Sequence, residues 1–104
     1  MEKLSEEQAR RRLEGLEGWR YVNGTIRKQY VFRAFLRAIA FVNAVAYLAE
    51  GAKHHPDITV NYNKVTLKLI THSEGALTDK DFQLARQIEE ALPLVGLAET
   101  AERQ

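Results

Sequence analysis

The spacing of apolar residues changes period along the chain, and each change marks an element. Between Ser5 and Leu13 most residues are polar, but Ser5 and Gln8 have the spacing of a capping box, which predicts a helix from there to about Leu13, with Gly15 near its end. From Trp19 to Phe32 two short segments, WRYV and TIRKQYVF, flank Asn23-Gly24. Asn-Gly suits a type I′ turn because both central residues need positive φ, so a β-hairpin is expected. On its second strand Ile26, Tyr30 and Phe32 share a face with Lys28, whose aliphatic stem can lie along apolar neighbours.

From Arg33 to about Lys53 the period becomes helical, with Phe35, Ile39, Val42 and Ala46 in one row and Phe41, Val45 and Leu48 in another. A helix apolar over so much of its circumference must be covered twice. One face is expected on the sheet, the other against a second helix or a second subunit. Asp57 to His72 then alternates around Asn63-Lys64, which predicts a second hairpin with Ile58, Val60, Tyr62, Val65, Leu67, Leu69 and Thr71 on one face. With Asn63-Lys64 as a two-residue loop, Tyr62 pairs with Val65, Val60 with Leu67, Ile58 with Leu69, and His55 falls opposite His72. Thr78 followed by Asp79 and Asp81 marks a helix start. That helix carries Phe82, Leu84, Ala85, Ile88 and Leu92, and Pro93 is expected to stop it.

The order α-β-β-α-β-β-α defines an α+β domain: a four-stranded antiparallel sheet with three helices on one face. Residues 1–104 read as a single domain in which 94–104 form a tail with too little pattern to place. The 15 Lys and Arg against 14 Asp and Glu leave a net charge of +1, which favours neither nucleic acid nor a strongly charged partner. The arginines at 10–12 lie within a turn of Glu6, Glu7 and Glu14 and read as a solvated helix face. No cysteine is present, which excludes a disulfide scaffold and cysteine-ligated zinc and fits a reducing compartment. The start of the chain has no apolar signal region, and the weakly polar run Ala38–Ala49 is short of the roughly 20 residues of a membrane span. A cytoplasmic protein with no membrane partner is the expectation.

Chemistry concentrates in Glu50–His72, which holds all three histidines: His54, His55 and His72. Histidine changes charge near neutral pH, so the cluster suits proton transfer or metal binding. Three readings compete. In the first, the histidines finish a strand and bond locally. In the second they bind a metal, but His54 and His55 on an extended segment point to opposite sides and none of the familiar zinc spacings is present. The third is acid–base catalysis, with Glu50 one turn before His54, and Asp57 and Asp81 as further carboxylates able to orient an imidazole. Donor and acceptor at one mouth suit an elimination of water.

The run from Trp19 through Phe32, Phe35, Phe41 and Glu50 to His54-His55-Pro56, then Tyr62-Asn63-Lys64-Val65, Thr71-His72, Leu77-Thr78 and Asp81, resembles the pterin-4a-carbinolamine dehydratases. The resemblance covers about Leu4 to Leu92. It implies a hydro-lyase that dehydrates 4a-hydroxytetrahydrobiopterin to quinonoid dihydropterin, without cofactor or metal, in tetrahydrobiopterin recycling. By the same resemblance His54, His55 and His72 are the catalytic residues. Glu50, His54, His55, Pro56, Thr71, His72, Ser73, Glu74 and Asp81 are the substrate-binding positions, Asp81 serving equally well as a helix cap. A homodimer or homotetramer is expected. Family members also act as dimerisation partners of a homeodomain transcription factor, and pterin handling near molybdopterin enzymes is a further alternative. Two positions depart from the family pattern: Ile58, where many members carry tryptophan, and Ala76, where glycine is usual. If the latter position needs positive φ, Gly75 is the residue able to take it over.

Overall fold

The computed structural model describes residues 2–94. Its elements follow from local chemistry in chain order. Helix α1 (Glu6–Arg12) begins at the expected capping box, with the Ser5 hydroxyl accepting from the Gln8 N–H and the Gln8 side chain accepting from the Ser5 N–H. Strands β1 (Arg20–Val22) and β2 (Thr25–Val31) turn on Asn23 and Gly24, at φ 48° and 79°, both positive as a type I′ turn requires. Helix α2 (Phe35–Ala52), strands β3 (Asp57–Asn61) and β4 (Lys64–Leu69) and helix α3 (Asp79–Leu94) complete the order. The sheet is antiparallel throughout, in the order β1-β2-β4-β3, and the three helices cover one face of it. The fold class expected from the pattern is the one observed. The tail expected over 94–104 lies, from residue 95 onward, outside the described residues.

Cross-strand rows build the covered face. Ile26 pairs with Tyr21 and Leu69, Lys28 with Leu67, and Tyr30 with Val65, while β3 adds Ile58 opposite Leu67 and Val60 opposite Val65. Ile26, Tyr30, Val65, Leu67 and Leu69 are fully buried against Phe41 and Val45 of α2 and Phe82, Leu84 and Ile88 of α3. Burying each such side chain contributes about 1.5–3 kcal/mol. Lys28 sits in the middle of this face, and its stem does lie among apolar neighbours. Its ammonium donates to the Glu89 carboxylate at 2.7 Å and the Glu17 carbonyl at 2.9 Å. Trp19 Nε1 and the Tyr30 hydroxyl donate to the same Glu89 oxygen. The sequence pattern offered no partner for Lys28; α3 supplies it across the core.

Three expectations change. The β3–β4 loop is Tyr62-Asn63, not Asn63-Lys64, so Asn61 pairs with Lys64, Val60 with Val65 and Ile58 with Leu67. Tyr62, expected on the buried face, takes the positive φ (55°) and is exposed. Asn63 is tied to the end of β2, its side-chain amide donating to the Phe32 carbonyl at 2.6 Å and its carbonyl accepting from the Phe32 N–H at 2.9 Å, which fixes the turn one residue earlier. The ladder ends at Asp57–Lys68, so His55 does not face His72. Next, α3 continues through Pro93 to Leu94, because a proline near a helix end removes a single backbone hydrogen bond. Lastly, α2 has the length and mean hydropathy (1.3) of a membrane-crossing helix, although the apolar run in the sequence reads as too short for one. Its Ala38, Phe41, Val45 and Ala49 are nevertheless buried in the core, and the row Phe35, Ile39, Val42 and Ala46 is only partly covered.

The turn assignment is checked by urea unfolding: Tyr62→Gly should stabilise by about 0.5–1 kcal/mol through relief of the left-handed backbone, while Lys64→Gly, inside a strand, should destabilise by a similar amount. Glu89→Ala, which strands the Lys28 ammonium in the core, should cost about 3 kcal/mol in the same measurement.

Candidate active site

The site is built where α2 ends, β4 ends and α3 begins. Lys53 terminates α2 in the left-handed region (φ 53°, ψ 41°), its N–H reaching the Glu50 carbonyl while the His54 N–H reaches the Ala49 carbonyl at 3.1 Å. This is a Schellman closure, with a lysine where glycine is usual. It turns the chain sharply, so that His54 enters the core and the next residue, His55, stays outside. Strand geometry begins only after Pro56, which restricts the residue before it to extended backbone. Adjacent histidines thus receive opposite environments from one turn.

His54 is buried, with its Nε2 2.5 Å from Asp81 Oδ1, and Asp81 is 0% exposed. The other Asp81 oxygen, Oδ2, accepts from the Thr71 hydroxyl at 2.8 Å and from the Thr78 N–H at 2.9 Å. Asp81 therefore does cap α3, closing the N-terminal turn from inside, and with its second oxygen it holds a histidine. An ionised carboxylate can only accept, so against an anionic Asp81 the His54 ring donates through Nε2–H. Its Nδ1 makes no hydrogen bond among the described residues. No buried side-chain nitrogen or oxygen there lacks a partner, so Nδ1 reaches solvent.

His55 lies outside, its Nε2 2.7 Å from Glu50 Oε2, both side chains largely exposed. Glu50 thus meets His55 and not His54, because the α2 closure carries the chain one residue further before it turns back. Asp57 pairs with Lys68 at 3.4 Å. His72 is exposed on the short loop after β4. Thr71 and Ala76 close that loop with an isolated bridge, Glu74 N–H bonds the Thr71 carbonyl, and Gly75 N–H bonds the His72 carbonyl. Gly75 carries the positive φ (64°) and Ala76 does not, which answers the departure at Ala76. Ser73 and Glu74 lie on the same loop, and Pro56 follows His55 at the start of β3. His54 and His72 are linked through Asp81 and Thr71, the residue before His72. Among the described residues no group of three or more His, Asp or Glu side chains is placed to hold a metal ion.

The part of this site that pattern reading missed is the hydroxyl pair. Thr71 and Thr78 are buried and their hydroxyls lie 2.7 Å apart. The signal was present for Thr71, which continues the inward-facing alternation of Val65, Leu67 and Leu69 and so had to bring a polar atom into the core.

The chain matches the family model described as Pterin 4 alpha carbinolamine dehydratase over residues 2–91. A relative from Roseiflexus sp. is 50% identical over 86% of this chain and 97% of its own. Another from Sulfolobus acidocaldarius is 45% identical over 83% and 94%. Both are named "Putative pterin-4-alpha-carbinolamine dehydratase". The crystal structure of a transcriptional coactivator/pterin dehydratase from Brucella melitensis superposes with a TM-score of 0.81 at 33% identity, covering 86% of this chain and 97% of that one. A pterin dehydratase-like protein described as a RuBisCO assembly factor of the alpha-carboxysome, 23% identical with a TM-score of 0.58 over 69% and 86%, shares the fold. An α+β domain with paired His–carboxylate contacts at one end of its sheet is the class that fold and site define. This chain belongs to the pterin 4 alpha carbinolamine dehydratase family.

Removing the central carboxylate should be far more costly than removing the exposed one. Asp81→Ala, which leaves three buried donors unanswered, should lose about 3 kcal/mol in urea unfolding, whereas Glu50→Ala should stay within about 0.5 kcal/mol of the parent.

Proposed function

We propose that the protein catalyses dehydration of 4a-hydroxytetrahydrobiopterin, or a close pterin analogue, to the quinonoid dihydropterin and water, as in tetrahydrobiopterin recycling. The observation that carries this reading is the Asp81–His54 pair, a buried carboxylate holding one imidazole nitrogen while the other faces solvent. Family membership supplies the substrate class. The reaction needs a proton removed from N5 of the pterin and a proton delivered to the 4a-hydroxyl as the C4a–O bond breaks and an N5=C4a bond forms. His54, with Nε2–H committed to Asp81, offers Nδ1 as the base. The imidazolium it becomes stays beside the Asp81 carboxylate, the same stabilisation that a buried aspartate gives the histidine of a hydrolase triad. His72, exposed and without a side-chain partner among the described residues, delivers the proton to the leaving oxygen, and His55, paired with Glu50, assists. Pro56 and the loop residues Thr71, Ser73 and Glu74 frame the mouth to which the pterin binds, with Glu50 at its rim and Asp81 behind it. The carbinolamine is already labile, so two proton transfers worth typically 10²–10⁴ each in rate are sufficient without a cofactor or metal.

The same reading extends to the whole chain as one such domain, to the cytoplasm, and to a homodimer or homotetramer. Self-association is supported by a surface row on α2 where Leu36 is 77% and Tyr47 81% exposed. That row also favours a second reading, a protein-partner role, which the name of the Brucella melitensis relative brings to mind. Light scattering after size exclusion separates the two, since an assembled homo-oligomer that loses its order on Leu36→Asp places a second copy on this row.

Stopped-flow measurement of 4a-hydroxytetrahydrobiopterin loss tests the activity. The purified protein should accelerate the decay, and His54→Ala and His72→Ala should each lower kcat by about 10²-fold or more. Absence of acceleration by the parent protein, or full activity in both variants, would overturn the dehydratase reading.

A further inference from the structure

We propose that Thr78 and Thr71 are positioning residues that act through Asp81 to hold His54 in the tautomer protonated at Nε2. This rests on the dehydratase reading only for its catalytic consequence. The geometry itself comes from the hydrogen-bond chain, whose direction is determined by counting protons. Asp81 Oδ2 is an acceptor, so the single Thr71 hydroxyl proton, 2.8 Å away, goes to it. The Thr71 oxygen must then accept from the Thr78 hydroxyl at 2.7 Å. The Thr78 oxygen in turn accepts from the Lys80 N–H at 3.3 Å, a helical amide at the start of α3 that is free to donate. Every donor therefore points the same way, from the first turn of α3 through two hydroxyls to the carboxylate.

The consequence falls on the other oxygen. His54 Nε2 and Asp81 Oδ1 are 2.5 Å apart, and which atom carries the proton depends on the ring tautomer. Two arrangements satisfy this contact: an anionic Asp81 with Nε2–H, or a protonated Asp81 donating to a bare Nε2. Only the first leaves the Nδ1 lone pair free on a neutral ring. The two donors on Oδ2, the Thr71 hydroxyl and the Thr78 N–H, favour the anion, because a charged acceptor makes stronger hydrogen bonds than a neutral acid. The relay also fixes the Asp81 rotamer from behind. Thr71 and Asp81 are 4% and 0% exposed, so water cannot replace a missing hydroxyl without reorganising the core. The two hydroxyls, committed to each other and to Asp81, act on the reaction without touching the pterin.

The test replaces the hydroxyl with a methyl group of the same shape. The chain has only three histidines, so the ring nitrogens of His54 are assigned in ¹⁵N-detected proton correlation spectra by comparison with His55→Gln and His72→Gln. The parent should show His54 protonated at Nε2 and bare at Nδ1 in its neutral form. Thr71→Val should shift that pattern toward the other tautomer or broaden it by exchange, Thr71→Ser should restore it, and Thr78→Val, interrupting the relay one step earlier, should move it in the same direction. In the stopped-flow assay Thr71→Val should lower kcat by about 10-fold, the lower end of what hydrogen-bonded partners contribute to metal-bound histidines, and Thr71→Ser should recover most of the loss. A His54 ring spectrum unchanged in both folded valine variants would overturn the proposal. If Thr71→Val does not fold, Thr78→Val and Thr71→Ser decide it by the same spectrum. A shifted spectrum with parental kcat would overturn the catalytic role. An inactive parent whose His54 tautomer still responds to Thr71→Val would overturn the dehydratase reading and leave the relay standing.

Discussion

One buried carboxylate, Asp81, accepts hydrogen bonds from three separate parts of the chain: His54 just past α2, Thr71 just past β4, and Thr78 at the cap of its own helix. A charge removed from water is tolerated only when its lone pairs are answered by well-placed donors. That requirement ties the end of one helix, the end of a central strand and the beginning of another helix to a single point. The loop that carries His72 starts from the same point, since Thr71 precedes it and the Thr71–Ala76 bridge closes it. Position and chemistry in this site are therefore consequences of one desolvated group.

Helix α3 repeats the device two turns further on. Glu89 accepts from Lys28, Tyr30 and Trp19, binding β2 and the segment before β1 to the same helix. The two carboxylates divide the work. Around Glu89 the donors come from aromatic and cationic side chains within the apolar core, where breaking the set would leave a lysine charge unpaired. Around Asp81 one donor is an imidazole with a second nitrogen at the surface, and that nitrogen is what makes the cluster chemically useful. The packing of α3 on the sheet and the orientation of His54 thus both rest on carboxylates of the same helix.

Much of the fold was legible in the pattern of residues. The Ser5–Gln8 box, the Asn23-Gly24 turn and the long apolar period of α2 each specify local structure with bonds made within a few residues. The second hairpin was legible only in part. Alternation assigns Ile58, Val60, Val65, Leu67 and Leu69 to one face, and there Val65, Leu67 and Leu69 are buried and Ile58 partly so, while Val60 on the edge strand is exposed. A shift of two residues between strands leaves every side chain on the same face, so alternation cannot distinguish the two registers. The tie between Asn63 and Phe32, thirty-one residues apart, selects the observed one. Likewise the two rows on α2 were visible, but which of them meets the core depends on where the sheet lies.

The histidine stretch Glu50–His72 divides along the same line. By itself the sequence determined that three imidazoles and several carboxylates stand near the ends of neighbouring elements. Tertiary structure alone decided which carboxylate serves which ring. Glu50, near His54 in sequence, bonds His55, and Asp81, twenty-seven residues from His54, is its partner. The physical reason is that a left-handed Lys53 reverses the chain within one residue, a choice made by the closure of α2 against the core and not by any local preference of lysine.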